Sequence, residues 1–268
     1  MKDLWDVKLK ELREAIKHSS KELEQKEYVC SLCQDRGLIY RDGLAYRCTC
    51  VQKRQMDLSS KKAHLSGEYK EKHFDDFRLD YYASKPYAED KKGTYRQSAN
   101  QSLQAAKLFT ELVIAGEMPK GLYLYGNVGS GKTLLASCIA NQLIESRQEV
   151  LFVSIPDLLD ELKDTFNGRT GNELALMNRV RKAKTLIMDD LGAHMYTDWT
   201  AGRIYNIINY RASHNLSTII TSNLTVDELR TALDERTSSR ILQLCQIYRL
   251  QSDQDIRRQV YIENLKSN

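Results

Sequence analysis

The stretch Gly126-Asn-Val-Gly-Ser-Gly-Lys132-Thr133 decides the fold of this chain, because it matches the phosphate-loop pattern G-x-x-x-x-G-K-[ST] in full. An apolar run at 122–125 precedes it and another at 134–140 follows it, so the loop is predicted to join a buried strand to a helix. Backbone N–H groups of such a loop, with the helix N-terminus, surround phosphate oxygens. The alternative, a glycine turn that binds nothing, fits the complete pattern poorly. The sequence therefore predicts a nucleoside triphosphate site.

Two side chains of the loop have predicted roles of their own. Lys132 is expected to neutralise the β- and γ-phosphate oxygens, and Thr133 to hold Mg²⁺ through its hydroxyl. The residues predicted to bind the nucleotide here are Gly126, Asn127, Val128, Gly129, Ser130, Gly131, Lys132, Thr133 and Leu134.

The composition limits the class of protein. Of 268 residues, 41% are hydrophobic and 28% charged, which is ordinary for a globular protein, and the net charge of +4 permits contact with nucleic acid. No apolar run reaches the ~20 residues of a membrane span, and the N-terminus lacks the apolar stretch of a signal peptide. We therefore expect a cytoplasmic protein without a membrane partner, whose six cysteines are thiols or metal ligands rather than disulfides.

Four of the cysteines form two close pairs near the start of the chain, Cys30-x-x-Cys33 and Cys48-x-Cys50. Four converging thiolates suit tetrahedral Zn²⁺, although the second pair has one spacer residue where zinc ribbons commonly have two. The alternative is a set of reduced cysteines without metal. A four-thiolate site leaves no open coordination position, so the predicted zinc has a structural or docking role.

The segment between the two cysteine pairs is predicted to be a hairpin. Asp42-Gly43 is flanked by alternating apolar residues, a strong signal for a tight turn. A two-residue turn pairs Ile39 with Tyr46 and returns Cys48 to a position opposite Gly37. The hairpin would therefore bring the cysteine pairs together.

Strands and helices alternate in the rest of the chain. Candidate strands are 121–125, 149–154, 184–189, 217–222 and 245–250, and candidate helices are 132–146, 156–166, 198–213 and 225–243. This alternation predicts a mainly parallel sheet covered by helices on both faces. We expect two domains: residues 1–72, with an amphipathic helix over 1–28, the cysteine module and a Lys-rich connector, and residues 73–268, an ATPase domain. The first helix either packs on its own chain or meets a partner.

The strand at 184–189 ends in two carboxylates that complete the predicted site. Asp189 would hold the Mg²⁺ shell. Asp190 stands where many ATPases place a glutamate that polarises the attacking water, and its shorter side chain predicts slow hydrolysis. The alternative is a pair of carboxylates that caps the next helix.

Two further elements supply polar groups that are candidates for sensing the nucleotide. The strand at 217–222 ends in Thr221-Ser222-Asn223, which resembles the polar strand end that senses the γ-phosphate in additional-strand ATPases. This resemblance implies that Asn223 is the sensor, with a plain turn as the alternative. Arg236 and Arg240 lie four residues apart on one side of a predicted helix. Because guanidinium binds phosphate in a bidentate fashion, Arg240 is predicted to complete a neighbouring subunit's site, unless both are ordinary surface arginines.

These motifs together resemble the AAA+ ATPases, specifically the bacterial and phage replicative helicase loaders of the DnaC/DnaI type. The resemblance covers about residues 74–260, through GNVGSGKT, LIMDDLG, TSN and DERTSSRI, and the cysteine module is similar to that of Gram-positive loaders. It implies an α/β fold of the additional-strand phosphate-loop class, with helices around a parallel sheet. Since few residues follow position 250, an abbreviated lid is expected.

The resemblance also implies roles for residues outside the two nucleotide motifs. Phe74 and Phe77 are expected near the adenine, and Arg257 in the lid is expected to touch the nucleotide from within the subunit. Lys163 would meet a phosphate of single-stranded DNA and Phe166 would stack on a base, with burial of Phe166 in the helix core as the alternative.

The expected function is that of an ATPase which loads a replicative ring helicase onto single-stranded DNA. ATP, Mg²⁺ and Zn²⁺ are the expected bound groups, and the helicase, single-stranded DNA and further copies of the chain are the expected partners. An IstB-like transposition helper is the nearest alternative, because it shares the ATPase core and acts on a transposase and DNA. More distant alternatives are a small-molecule kinase and a nucleotide-regulated adaptor that hardly hydrolyses ATP.

Overall fold

The computed structural model describes residues 28–41, 44–51, 65, 67–88, 92–166, 172–193 and 195–267. Contacts divide the chain into two compact units, Met1–Gln55 and Met56–Asn268. The helix predicted over residues 1–28, apart from its last residue, and the turn at Asp42-Gly43 lie outside the described residues. The domain boundary predicted after residue 72 stays a prediction, and the described residues 65 and 67–72 belong to the larger unit.

The smaller unit is built on an antiparallel hairpin, β1 (Leu38–Arg41) and β2 (Leu44–Arg47). Its register pairs Ile39 with Tyr46, as the sequence predicts, and the Cys48 N–H donates to the Gly37 carbonyl at 2.8 Å. Cys48 is therefore returned beside the first pair of cysteines.

The larger unit contains a five-stranded parallel sheet. Its strands are β3 (Gly121–Tyr125), β4 (Val150–Ser154), β5 (Thr185–Leu191), β6 (Thr218–Ser222) and β7 (Cys245–Arg249). Their order across the sheet is β4-β5-β6-β3-β7. Strand β6 thus lies between β3, which leads into the phosphate loop, and β5, which carries the two aspartates. This is the additional-strand order of the AAA+ fold.

Helices cover both faces of this sheet. They are α1 (Tyr95–Ile114), α2 (Lys132–Glu145), α3 (Ile155–Phe166), α4 (Glu173–Lys182), α5 (Asp198–Ser213), α6 (Val226–Ala232), α7 (Glu235–Leu244) and α8 (Ile256–Ser267). Successive strand residues point to opposite faces, so Leu122 and Leu124 pack in the core beneath α1 and α2, while Tyr123 packs in a second core beneath the helices of the other face. Burial on both faces explains why the strands are apolar throughout.

Two features of the helices differ from the sequence prediction. The single helix predicted over 225–243 is wrong, because the chain breaks at Leu233 and Asp234 into α6 and α7. Leu233 follows the end of α6, and Asp234 caps the start of α7, since its carboxylate accepts a 2.6 Å hydrogen bond from the Thr237 N–H. Helices α1 and α4 were not predicted. Within the described residues, no helix is both long and apolar enough to span a bilayer.

Candidate functional site

The phosphate loop joins β3 to α2, as its pattern predicts. Gly131 caps the helix with a φ of 87°, and Gly129 has a φ of 73°, so both adopt a conformation that side chains disfavour. A Cβ on Gly129 would collide with the Asp255 carboxylate, and one on Gly131 would lie 2.8 Å from the Tyr82 hydroxyl. That hydroxyl donates a 2.7 Å hydrogen bond to the Ser130 carbonyl. The glycines are therefore required by close packing as well as by the turn.

Lys132 is buried and turned over its own loop. Its ammonium donates to the Gly126 carbonyl at 2.9 Å and to the Asn127 carbonyl at 2.8 Å. Burial lowers its pKa to about 8, although the nearby carboxylates of Asp190 and Asp189 act in the opposite direction. The site thus holds a poorly solvated cation at the start of a helix, where phosphate oxygens are the natural partners.

The side chains predicted to hold magnesium lie in direct contact. The Thr133 hydroxyl is 3.1 Å from the nearer oxygen of Asp189, and the Thr221 hydroxyl donates to the same carboxylate at 2.6 Å. Burial raises the pKa of Asp189 to about 6, since desolvation outweighs these hydrogen bonds. A hydroxyl and a carboxylate at this spacing, beside a phosphate loop, form a donor set of hard oxygens that fits Mg²⁺.

Asp190 is directed by an irregularity in its strand. The pairing of β5 with β6 shifts register between Met188 and Leu191, and Asp190 has a φ of 59°. Its N–H donates to the Thr221 hydroxyl at 3.0 Å, which fixes this conformation. Successive residues of a regular strand point to opposite faces. Because of the irregularity, Asp190 lines the loop cavity even though the neighbouring Asp189 also belongs to the site.

A cavity of about 340 Å³ lies over the phosphate loop. Its walls are formed by the loop itself, the carboxyl ends of β5 and β6, the last helix and the segment that precedes Phe74. The lining residues named by the sequence analysis are Val128, Gly129, Ser130, Gly131, Lys132, Thr133, Leu134, Asp190, Asn223 and Arg257. The structure therefore brings the phosphate loop, the second aspartate, the strand-end asparagine and the lid arginine around one space.

Gly126 and Asn127, at the start of the phosphate loop, contact the segment of the chain that follows β7. A Cβ on Gly126 would collide with the Leu250 carbonyl, so this position needs glycine because the chain just after β7 passes close by. The Asn127 amide donates to the Ser252 carbonyl at 2.8 Å and accepts from the Ser252 N–H at 3.0 Å. Gly126 therefore permits the close approach of the loop to the segment after β7, and the hydrogen bonds of Asn127 stabilise it.

The two phenylalanines expected near the adenine occupy different positions. Phe77 is buried, stacks on Tyr82 with ring centroids 5.5 Å apart, and lines a smaller pocket of about 220 Å³ with Leu134 and Ile256. Phe74 is packed in the core beneath α1 and α2. Their contact with adenine stays a prediction, and only Phe77 borders a cavity beside the loop.

The remaining predicted residues lie away from the loop cavity of their own chain. Arg240 on α7 donates to Gln243 at 2.6 Å. Lys163 on α3 is exposed and pairs with Asp160 at 3.0 Å, while the side chain of Phe166 lies outside the described residues. Their roles toward a neighbouring subunit and DNA stay predictions.

The cysteine cluster of the smaller unit meets the requirements of a metal site. One sulfur atom from each of Cys30, Cys33, Cys48 and Cys50 lies within 4.8 Å of all the others. Burial favours the neutral thiol of Cys33, but hydrogen bonds with Cys50 and from the Gly37 N–H outweigh it and lower the pKa of Cys33 to about 7. A set of four sulfurs, one of them readily ionised, fits tetrahedral Zn²⁺.

Several residues of the site were not found by sequence reasoning. Tyr82 and Asp255 pack against loop glycines, and Glu68, Tyr69 and Lys72 line the loop cavity. They lie outside every recognised motif, and their distance along the chain from the loop left no spacing signal to find them.

The sequence was compared with known families and proteins. A model of the family described as IstB-like ATP binding protein matches residues 94–256, more than half of the chain. The chain belongs to this family. The matched range contains the phosphate loop, both aspartates, Asn223 and Arg240, whereas Glu68, Tyr69, Lys72 and Arg257, which also line the cavity, lie outside it.

Individual relatives include replication proteins. The replicative helicase loader DnaI of Bacillus subtilis (strain 168) is 37% identical over 112 residues, which is 41% of this chain but 35% of DnaI. The phage-like element PBSX protein XkdC of the same bacterium is 26% identical over 242 residues, 85% of this chain and 83% of that protein. A crystal structure of the DnaC helicase loader is similar with a TM-score of 0.52 at 27% identity, covering 66% of this chain and 98% of that one. The family member described here thus has the AAA+ fold and DnaC/DnaI-type relatives.

Proposed function

We propose that this chain is an ATP-dependent helicase loader that assembles a replicative ring helicase onto single-stranded DNA when replication begins. The observation that carries the proposal is the convergence of the phosphate loop, Asp190, Asn223 and Arg257 on one cavity, in a chain with relatives named replicative helicase loaders. ATP hydrolysis is the only chemistry in this proposal. The biological product is a remodelled protein–DNA complex.

The proposed chemistry divides among the residues of the cavity. Loop N–H groups and Lys132 bind the β- and γ-phosphates. Bound at Thr133 and Asp189, Mg²⁺ would supply charge stabilisation of the phosphate oxygens. Asp190 accepts a hydrogen bond from the attacking water, and Asn223 orients the γ-phosphate. The aspartate is one methylene shorter than glutamate, so turnover is slow and the nucleotide acts as a switch.

The proposed assembly needs more than one copy of the chain. Arg240 does not line the cavity of its own chain, so in this proposal its guanidinium completes the site of the adjacent subunit. Lys163 and Phe166 on α3 would contact the DNA strand, through a phosphate and a base respectively. Nucleotide state would then control both assembly and DNA affinity.

The direct test is co-purification with a replicative helicase. Tagged wild-type chain is expected to retain the host's ring helicase in ATP, and the Lys132→Ala chain to retain less. A mass measurement of the retained complex gives the stoichiometry. Failure of the wild-type chain to bind any replicative helicase, in ATP or ADP, would contradict the loader function.

A transposition helper is the second candidate, and the description of the matched family favours it. The same co-purification with an IstB-associated transposase in place of the helicase separates the two functions. Binding of the transposase together with duplex DNA, without helicase binding, would establish the second candidate instead.

A structural zinc ion is proposed for the four-cysteine cluster, where the thiols already converge. Metal analysis of the purified chain is expected to give about one zinc per chain. A Cys33→Ser, Cys48→Ser double variant should bind much less, whereas Cys138→Ser, which changes a thiol of the larger unit, should retain the metal. Equal zinc in all three proteins would contradict the proposed site.

A further inference from the structure

The loop cavity has one wall that no nucleotide-binding motif supplies. This wall is formed by a short 3₁₀ helix, Gly67–Glu71, and the residue that follows it. Glu68, Tyr69 and Lys72 from this segment line the cavity opposite residues of the phosphate loop. We call residues 67–72 the connector wall.

The connector wall is held firmly against the helix of the phosphate loop. The Asn141 side chain, which is only 4% exposed, donates 2.8 Å hydrogen bonds to the carbonyls of both Tyr69 and Lys72. One turn earlier on α2, the Cys138 thiol donates to the His73 carbonyl at 3.0 Å. Because α2 begins at Lys132, these contacts fix Lys72 relative to the phosphate-binding groups.

Lys72 stands where two pockets meet. Besides the loop cavity, it lines the smaller pocket that contains Phe77, Leu134 and Ile256. The loop cavity suits the phosphate chain, and the smaller pocket offers a flat base the aromatic and aliphatic side chains of Phe77, Leu134 and Ile256, with charged residues beside them. In a nucleotide the α-phosphate lies between the base-bearing ribose and the outer phosphates, so a cation at this junction would face it.

We propose that Lys72 is a nucleotide-binding residue whose ammonium contacts the α-phosphate of ATP and of ADP. The inference rests on the nucleotide site proposed above and adds a residue outside the phosphate loop and its aspartates. Glu68 and Asp76 also line these pockets, so Lys72 additionally offsets two carboxylates that would repel an anionic ligand. The α-phosphate is common to both nucleotides, so the contact does not depend on the γ-phosphate.

The test compares Lys72→Ala with Lys70→Ala, a matched loss of one lysine. Lys70 lies on the 3₁₀ helix that Lys72 follows, but it is exposed and lines neither pocket. Dissociation constants are measured with fluorescent ATP and ADP analogues, together with melting temperatures. Loss of one charge-assisted hydrogen bond is expected to weaken both nucleotides about tenfold or more in Lys72→Ala. Lys70→Ala should stay within about twofold of wild type, and Lys72→Arg should recover most of the affinity.

The outcomes separate this inference from the nucleotide site itself. If wild type binds nucleotide and Lys72→Ala binds it as well as Lys70→Ala does, Lys72 is not a ligand and the inference fails alone. A loss confined to ATP would also overturn it, because that would locate the effect at the γ-phosphate. If wild type binds neither nucleotide, the nucleotide site fails as well. Should Lys72→Ala fold poorly, Lys72→Gln replaces it in the same comparison.

Discussion

At the scale of single residues, the site depends on charges held out of water. Lys132 is buried beside two carboxylates, and Asp189 is held by the hydroxyls of Thr133 and Thr221. Neither group could be placed so deeply without these partners, because an unpaired buried charge is costly. Burial also makes each group respond strongly to the charge of a phosphate or a metal ion brought next to it.

Asp190 provides a prediction at this scale. Asparagine tolerates the left-handed backbone of this position, so Asp190→Asn should fold normally while losing the carboxylate that accepts a hydrogen bond from the attacking water. We expect nucleotide affinity within about threefold of wild type and ATP turnover reduced about 100-fold. Fluorescent-nucleotide titration and phosphate-release assays measure the two quantities. Unchanged turnover would exclude Asp190 from hydrolysis and favour the capping role instead.

The residues of the motifs could be predicted, whereas their supports could not. The motif residues that line the cavity belong to patterns recognisable in the sequence: they are Lys132, Thr133, Asp190 and Asn223. Folding brings three residues that are distant in the sequence to the loop or its cavity: Tyr82, Asp255 and Lys72. A single sequence contains no spacing that relates them to the loop. Nucleotide binding by Asn127 stays a prediction, and the hydrogen bonds of its side chain with the backbone of Ser252 could not be foreseen from the sequence.

At the scale of elements, alternating apolar runs were sufficient to predict the parallel sheet and most of its helices. The helices that were missed, α1 and α4, have mixed polar sequences whose burial depends on neighbouring elements. The break between α6 and α7 was missed because Asp234 was taken as an interior helix residue, although it caps α7. Local patterns therefore predicted the buried strands better than the helix ends.

A contact between His73 and Glu145 joins the segment around Phe74 to α2, and it should make the stability of the fold depend on pH. His73 Nε2 lies 2.7 Å from a Glu145 oxygen, and this hydrogen bond raises the pKa of the imidazole in the folded chain. A raised folded-state pKa stabilises the fold below the ordinary value of 6.5, and the effect is lost as pH rises through the raised pKa. Because both groups are largely exposed, Glu145→Gln should lower stability by only about 0.5 kcal/mol at pH 5.5.

Urea unfolding of wild type and Glu145→Gln at pH 5.5 and pH 8.5 measures this effect. The difference in the free energy of unfolding should be present at the lower pH and nearly absent at the higher one. The control is Glu149→Gln, which removes an acidic residue four positions beyond the end of α2. It should show no such pH dependence. A difference that grows with pH would contradict the assigned interaction.

At the scale of the whole molecule, the proposed active site is shared between subunits. Arg240 lies outside the cavity of its own chain, so Arg240→Ala should bind ATP normally but lose about 1000-fold in turnover after assembly. Lys132→Ala should lack turnover for a different reason, the loss of ATP binding. Mixing the two variants should restore activity, because an Arg240→Ala subunit can bind ATP while its Lys132→Ala neighbour supplies the guanidinium.

The mixing experiment is read as ATP turnover per subunit at several total concentrations. Arg230→Ala, a change of an exposed arginine on α6, serves as the control and should behave as wild type. Absence of recovery in the mixture, or full turnover by Arg240→Ala alone, would contradict a shared site.

Calorimetric titration of wild type and Lys132→Ala with ATP and magnesium tests the central claim most directly. We expect saturable binding near one ATP per chain in wild type, and an affinity at least about 100-fold lower in the variant because the buried cation of the loop is gone. Melting temperatures measured beside the titration show that both chains are folded. The absence of heat of binding in folded wild type, or equal affinity in the two proteins, would contradict it.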